Sequence, residues 1–154
     1  MLFRSTAAET ALHAKLIARD LFPAELEENG MVRALENLAG SKGGPGKPRI
    51  ELDLHADFPI KDQEKALHLY RIVQEALNNA LRHSGAKTVR IGLYVDRETA
   101  TVEVADDGAG MGPDSGGGSG MGLKILKYRA NVIGGRLRIQ TDEGGTIISC
   151  RVAR

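Results

Sequence analysis

The chain has 154 residues and a formal net charge of +1, with 21 basic and 20 acidic residues interspersed, so no single-sign field exists to attract nucleic acid or an anionic membrane surface. Its length allows one full hydrophobic core, and 42% hydrophobic residues with 27% charged ones exclude the disordered and fibrous classes. No run approaches the roughly 18 apolar residues that cross a bilayer, and Met1–Ala11 lacks the apolar segment of a secretory signal; with Cys150 as the only cysteine, the expectation is a cytoplasmic fragment with no membrane contact and no internal disulfide.

Residues 7–22 read as an amphipathic helix with Ala8, Leu12, Ile17 and Leu21 among its apolar positions, closed by Pro23. A second, short helix is expected from about Met31 to Ala39. The run Gly40-Ser-Lys-Gly-Gly-Pro-Gly-Lys-Pro48 carries breakers and no apolar residue. It suggests an appendage over 1–40, a flexible linker over 41–48 and a main domain over 49–154. Arg49 to Leu54 alternates as a strand. Lys61 to Ser84 is the strongest helical signal, with Ala66, Leu69, Val73, Ala76 and Ala80 at three- and four-residue steps. Thr88–Val95 and Thr99–Asp106 form a hairpin around Asp96-Arg-Glu98. Eight of the fifteen residues from Gly108 to Gly122 are glycine; beyond them come a helix from about Met121 to Ile133 and a second hairpin, Arg136–Thr141 with Thr146–Val152. Two hairpins among interleaved helices argue for an α+β two-layer sandwich: a mixed, mostly antiparallel sheet with helices on one face, preceded by a helical appendage.

Glu75 and Asn79 are four residues apart on the long helix, on the stripe His68, Ile72, Glu75, Asn79, His83 beside the apolar one. A carboxylate and an amide oxygen pointing the same way suit Mg2+, which takes a few hard oxygens from protein and the rest from water and phosphate; taken alone, the pair reads equally as solvated surface. On the second strand of the first hairpin, Ala100, Val102 and Val104 share a parity that continues onto Asp106 and not Asp107. An inward carboxylate needs a hydrogen-bond partner, such as an exocyclic amino group of adenine, or simply ends a strand in a turn. The same parity turns Thr146 inward with Ile148, Cys150 and Val152. The loop Gly112–Gly122 reads as a lid whose end, Gly118-Ser-Gly-Met-Gly122, runs into a helix N-terminus that can hold phosphate. It is neither a Walker A loop nor a dinucleotide fingerprint.

Together, Gln74-Glu-Ala-Leu-Asn-Asn79, Asp106-Asp-Gly-Ala-Gly-Met111 and Gly118-Ser-Gly-Met-Gly-Leu123 resemble, in order and spacing, the nucleotide-binding boxes of the GHKL (Bergerat-fold) superfamily, which includes gyrase-type ATPases, Hsp90 chaperones, MutL-type repair proteins and histidine kinases. Tyr70-Arg-Ile-Val-Gln-Glu-Ala-Leu-Asn-Asn-Ala-Leu-Arg-His-Ser-Gly85, the short lid and Tyr128-Arg-Ala130 ahead of Gly134 look like the nitrate-sensor (NarL-partner) class of sensor kinases. Leu21-Phe-Pro-Ala-Glu-Leu-Glu-Glu-Asn-Gly-Met-Val-Arg-Ala-Leu35 is similar to that class's connector, which would make 7–22 its second dimerisation helix.

The resemblance implies that Asn79 ligates Mg2+, that Glu75 acts as base or polarises the attacking group, and that Asp106 binds the adenine amino group with Thr146 through water. It further implies that Gly108, Gly110, Gly118, Gly120, Met121, Gly122 and Leu123 line the nucleotide and that His83 contacts phosphate. The implied activity is transfer of the ATP γ-phosphoryl group to a histidine of a dimerisation domain of the same protein, homodimeric at full length, for relay to a response regulator. The first dimerisation helix, which carries the phosphorylated histidine in that class, is expected to be missing here, so the acceptor is expected outside this chain; Ile17-Ala-Arg-Asp-Leu21 is only superficially similar to the stretch before that histidine, with Phe22 in its place. Two rivals share the superfamily: a nucleotide-binding regulatory module, such as an anti-sigma-type serine kinase, and a gyrase- or chaperone-like ATPase, which the short lid disfavours.

Overall fold

The computed structural model describes residues 6, 7, 9–11, 23–111 and 120–154. Of the helix expected over 7–22, only the first turn falls in that set. There Glu9 N–H donates to Thr6 Oγ1 at 3.2 Å and Thr6 N–H to Glu9 Oε2 at 2.8 Å, a reciprocal cap built from a Thr three residues before a Glu. The rest of that segment, including Leu12, His13, Ile17 and Phe22, lies outside the described residues.

Helix α1 spans Ala24–Lys42, longer at both ends than the expected Met31–Ala39. Pro23 caps it with extended backbone, Glu25 and Glu27 occupy the first turn where acidic groups complement the helix dipole, and Gly43 N–H closes on Ala39 O at 3.0 Å. At Gly30, with φ 75 and ψ 178, the backbone leaves helical geometry, so a short helical stretch precedes the one expected from Met31. The helix runs on through Gly40, Ser41 and Lys42, the first three residues of the breaker run. Leu26, Met31, Ala34, Leu35 and Leu38 of α1 are buried in the same core cluster as the main domain.

Strands β1 (Arg49–Leu54), β2 (Thr88–Val95), β3 (Thr99–Asp106), β4 (Arg136–Asp142) and β5 (Gly145–Ala153) make one sheet in the order β1-β2-β3-β5-β4. β1 runs parallel to β2, and the other pairs are antiparallel, the mixed sheet that two hairpins among helices imply. Helices α2 (Gln63–His83) and α3 (Met121–Val132) complete the fold. Register places Ile91, Val104, Ile148 and Ile139 in one row across four strands. That parity, shared by Val89, Leu93, Val102 and Cys150, is buried, whereas Arg90, Glu103 and Ser149 take the other face. Burial pushes the Cys150 thiol up to about 11.

Asp62 starts α2 by accepting Lys65 N–H at 3.0 Å. The stripe that carries Glu75 is not solvated along its first half. Ile72 and His68 are buried, and Nη1 of the buried Arg129 on α3 lies 3.3 Å from His68 Nδ1. A guanidinium can only donate, so that ring nitrogen accepts. Charge in a core requires such hydrogen bonds, and this one joins α3 to α2.

Two aspartates hold the strand ends. Asp96 accepts from Thr99 Oγ1 and from the N–H groups of Glu98 and Thr99, and these bonds, the Thr99 hydroxyl foremost, hold its carboxyl well below the usual carboxylate range. Asp107 Oδ1 accepts the N–H groups of Lys87 at 2.8 Å and Thr88 at 2.9 Å, and the Thr88 N–H chiefly lowers its pKa. Asp107→Ala is therefore expected to lower the thermal midpoint by loosening the start of β2 while leaving ATP affinity near that of the parent. Calorimetric titration beside a melting curve reads both. A loss of affinity as large as that of Asp106→Ala would overturn the parity assignment.

Candidate functional site

The C-terminal half of α2, the end of β3, the start of β5 and the N-terminus of α3 surround a cavity of about 550 Å³, within the range of about 300–1,000 Å³ typical of small-molecule sites. Each wall follows from local chemistry. On α2, Glu75 and Asn79 face it together with Asn78 and Arg82, a set at i, i+3, i+4 and i+7 that one helical face must share. On β3, the inward parity of Val104 continues onto Asp106, which is partly buried and directly opposite Thr146 in the β3–β5 register. Thr146 is buried, and Ile148 continues the apolar wall behind it.

The turn after Asp106 is pinned in three places. Gly108 N–H donates to Asp106 Oδ1 at 2.9 Å. Ala109 N–H donates to Ser84 O at 2.9 Å, and Gly108 packs so closely there that a Cβ would fall 2.3 Å from the same carbonyl. Gly108 accordingly serves the closure onto α2 and is not part of the cavity lining. Gly110, with φ +77, faces the cavity and rests against β4, where a Cβ would lie 2.0 Å from Asp142 O.

At the opposite wall, Gly120 caps α3. The first N–H groups of a helix have no partner within it, so they are available to an anion. Nothing lies within 4 Å of the Cβ position of Gly120, whereas a Cβ on Gly122 would come 2.9 Å from Glu75 Oε1 and 3.1 Å from the Asn79 amide nitrogen. The helix N-terminus and the Glu75/Asn79 pair thus meet at the cavity wall, which Met121 and Leu123 also line; Asp106 and Thr146 line the same cavity. Gly118 lies outside the described residues, and so does the side chain of His83, the last residue of α2.

Five lining residues, Asn78, Arg82, Ser84, Met111 and Ile125, were given no role from sequence. Asn78 and Arg82 were visible in the helical spacing. Met111 and Ser84 reach the cavity through the turn and the helix end. Arg82 adds a cation to a wall that otherwise offers Glu75 and amides.

The mixed five-stranded sheet with its helices is a fold shared with solved structures. A solved histidine kinase domain from the Erythrobacter litoralis EL346 blue-light activated kinase superposes with a TM-score of 0.66 at 24% identity, covering 80% of this chain and 62% of that one. Residues 64–154 match the family of histidine kinase-, DNA gyrase B- and HSP90-like ATPases, and the chain belongs to that family. It is 32% identical over 141 residues to the sensor histidine kinase MctS of Rhizobium johnstonii, covering 90% of this chain and 31% of MctS. To the sensor histidine kinase LiaS of Bacillus subtilis it is 34% identical over 147 residues, covering 95% of this chain and 40% of LiaS. The chain thus spans well under half the length of these relatives. Family membership implies ATP binding. Among the described residues, no helix is long and apolar enough to cross a membrane.

Proposed function

We propose that the chain is the ATP-binding catalytic part of a sensor histidine kinase, which transfers the γ-phosphoryl group to a histidine on a dimerisation domain. The observation that carries this reading is the cavity itself, lined by the Asp106 carboxylate and by Asn79 with the open N-terminus of α3. A purine amino group fits the first and a triphosphate the second.

Mg2+ fits the phosphate end, because the Asn79 amide and the Glu75 carboxylate converge beside Gly122 with space for no Cβ between them, and Mg2+ takes one or two protein oxygens there and the rest from phosphates and water. When bound, the ion neutralises phosphate charge. Glu75 stands ready to orient or deprotonate the attacking imidazole, and Arg82 and the α3 amides hold the phosphates against charge repulsion. Catalysis by such a site is positioning and electrostatics more than covalent chemistry.

The motif around Tyr70–Gly85 supports the nitrate-sensor class, with a response regulator as downstream partner and a cytoplasmic location. The proposed division is a dimerisation remnant and connector over 1–40, a linker over 41–48 and the catalytic domain over 49–154. The burial of α1 against the main core means that the connector docks on the catalytic domain rather than trailing from it. The decisive experiment mixes the chain with ATP, Mg2+ and a separate protein bearing an acceptor-histidine helix. Acid-labile, alkali-stable phosphate on that protein is expected. ATP binding without any such transfer would favour the regulatory-module reading.

A further inference from the structure

Thr141 was not singled out by any motif, yet it holds two walls of the cavity at once. Its Oγ1 accepts Met111 N–H at 2.7 Å and lies 3.1 Å from Thr146 Oγ1. The sheet register explains the placement: Asp106, Thr146 and Thr141 are successive partners across β3, β5 and β4, so the three side chains form one row on the helix-covered face. Gly110 brings the incoming backbone within reach, since its Cβ position lies 3.0 Å from Thr141 Oγ1.

A hydroxyl carries one proton and two acceptor sites. With one site of Thr141 taken by Met111 N–H, the second site and the proton remain, and either serves the bond to Thr146. That bond fixes the rotor of the Thr146 hydroxyl, the polar group nearest to Asp106 in register. The bond to Met111 fixes the apolar residue that closes the same side of the cavity. Valine has the shape of threonine and neither capability.

We infer that Thr141 is a positioning residue for the ligand's base, acting through Thr146 and Met111 without touching the ligand. The inference rests on the nucleotide-binding reading above. The test is calorimetric titration of ATP into the parent, Thr141→Val, Thr141→Ser, Thr146→Val and the double valine variant, with melting curves alongside. Loss of a net hydrogen bond is worth about fivefold to tenfold in affinity, so Thr141→Val is expected to weaken ATP by that factor and Thr141→Ser to restore it. In the Thr146→Val background, the second substitution is expected to add less than about twofold, because coupled neighbours are not additive.

A folding defect alone would lower the melting midpoint without this restoration and without non-additivity, and would overturn the inference. So would full additivity of the two valines, or parent-like affinity of Thr141→Val in a parent that binds ATP. If the parent itself binds no ATP, the nucleotide reading falls and takes this one with it, an outcome distinct from the others.

Discussion

Asp106→Ala and Asn79→Ala are each expected to leave a folded protein that no longer binds ATP measurably. The two residues line the cavity from different elements, β3 and α2, so each substitution removes a different part of the ligand's recognition. A hydrogen bond to a charged group is worth about 1.5–3 kcal/mol, or roughly 10–150-fold in affinity. Asp106 loses in addition the acceptor that gives the turn its direction, because its Oδ1 also receives Gly108 N–H. For a parent that binds at about 50 μM, either variant falls to about 0.5–8 mM, at or below detection in a standard titration. The fold is expected to persist. Asn79 is only partly buried on α2, and Asp106 is partly buried at a strand end whose ladder does not depend on its side chain. Isothermal titration calorimetry with far-UV circular dichroism decides the matter, and normal affinity in either variant would sink the site assignment.

The largest effect on stability is expected from Gly145→Ala. Gly145 has φ +138, and a Cβ there would lie 1.9 Å from Asp106 O, with the backbone of Asp107 also in contact. Neither neighbour is a flexible side-chain tip, so β3 and β5 would have to separate at their closest approach. A strained conformation combined with a backbone clash costs at least about 2–3 kcal/mol, which in a chain of this size lowers the melting midpoint by roughly 5–10 °C. Affinity is expected to fall with it, because the displaced carbonyl belongs to Asp106. Gly144→Ala is the control. Its Cβ would meet only Asp142 Oδ1 at 3.2 Å, and its φ is not in the left-handed region. Parent-like melting of Gly145→Ala would show that the sheet end yields more easily than its geometry implies.

Alternation and helical spacing revealed the strands, both hairpins and α2, because each of these elements is half buried and so writes its period into the sequence. The inward turn of Asp106 and Thr146 followed from the same parity, since register neighbours share a face. What periodicity could not reveal was produced by contacts between segments far apart in sequence. The close packing of Gly108 on Ser84, of Gly110 on Asp142 and of Gly145 on Asp106 converts glycines that look alike in the sequence into three distinct joints. Gly108, expected from the resemblance to line the nucleotide, packs against a helix end. The Thr141 bond to Met111 joins residues thirty positions apart. The helical stretch before Gly30 went unseen because so short a segment writes little periodicity into the sequence.

The order of the sheet also bears on how the chain assembles. Its last strand is not an edge: β5 lies between β3 and β4. During synthesis, β1, β2 and β3 can associate as they emerge, but β4 has no neighbour until β5 follows and slots between the two pieces. The floor that holds Asp106 beside Thr146 therefore comes into existence only once β5 has joined. A chain stalled or clipped before Gly145 presents two unpaired strand margins and half a cavity, a state that invites wrong partners and has no means of recognising a nucleotide.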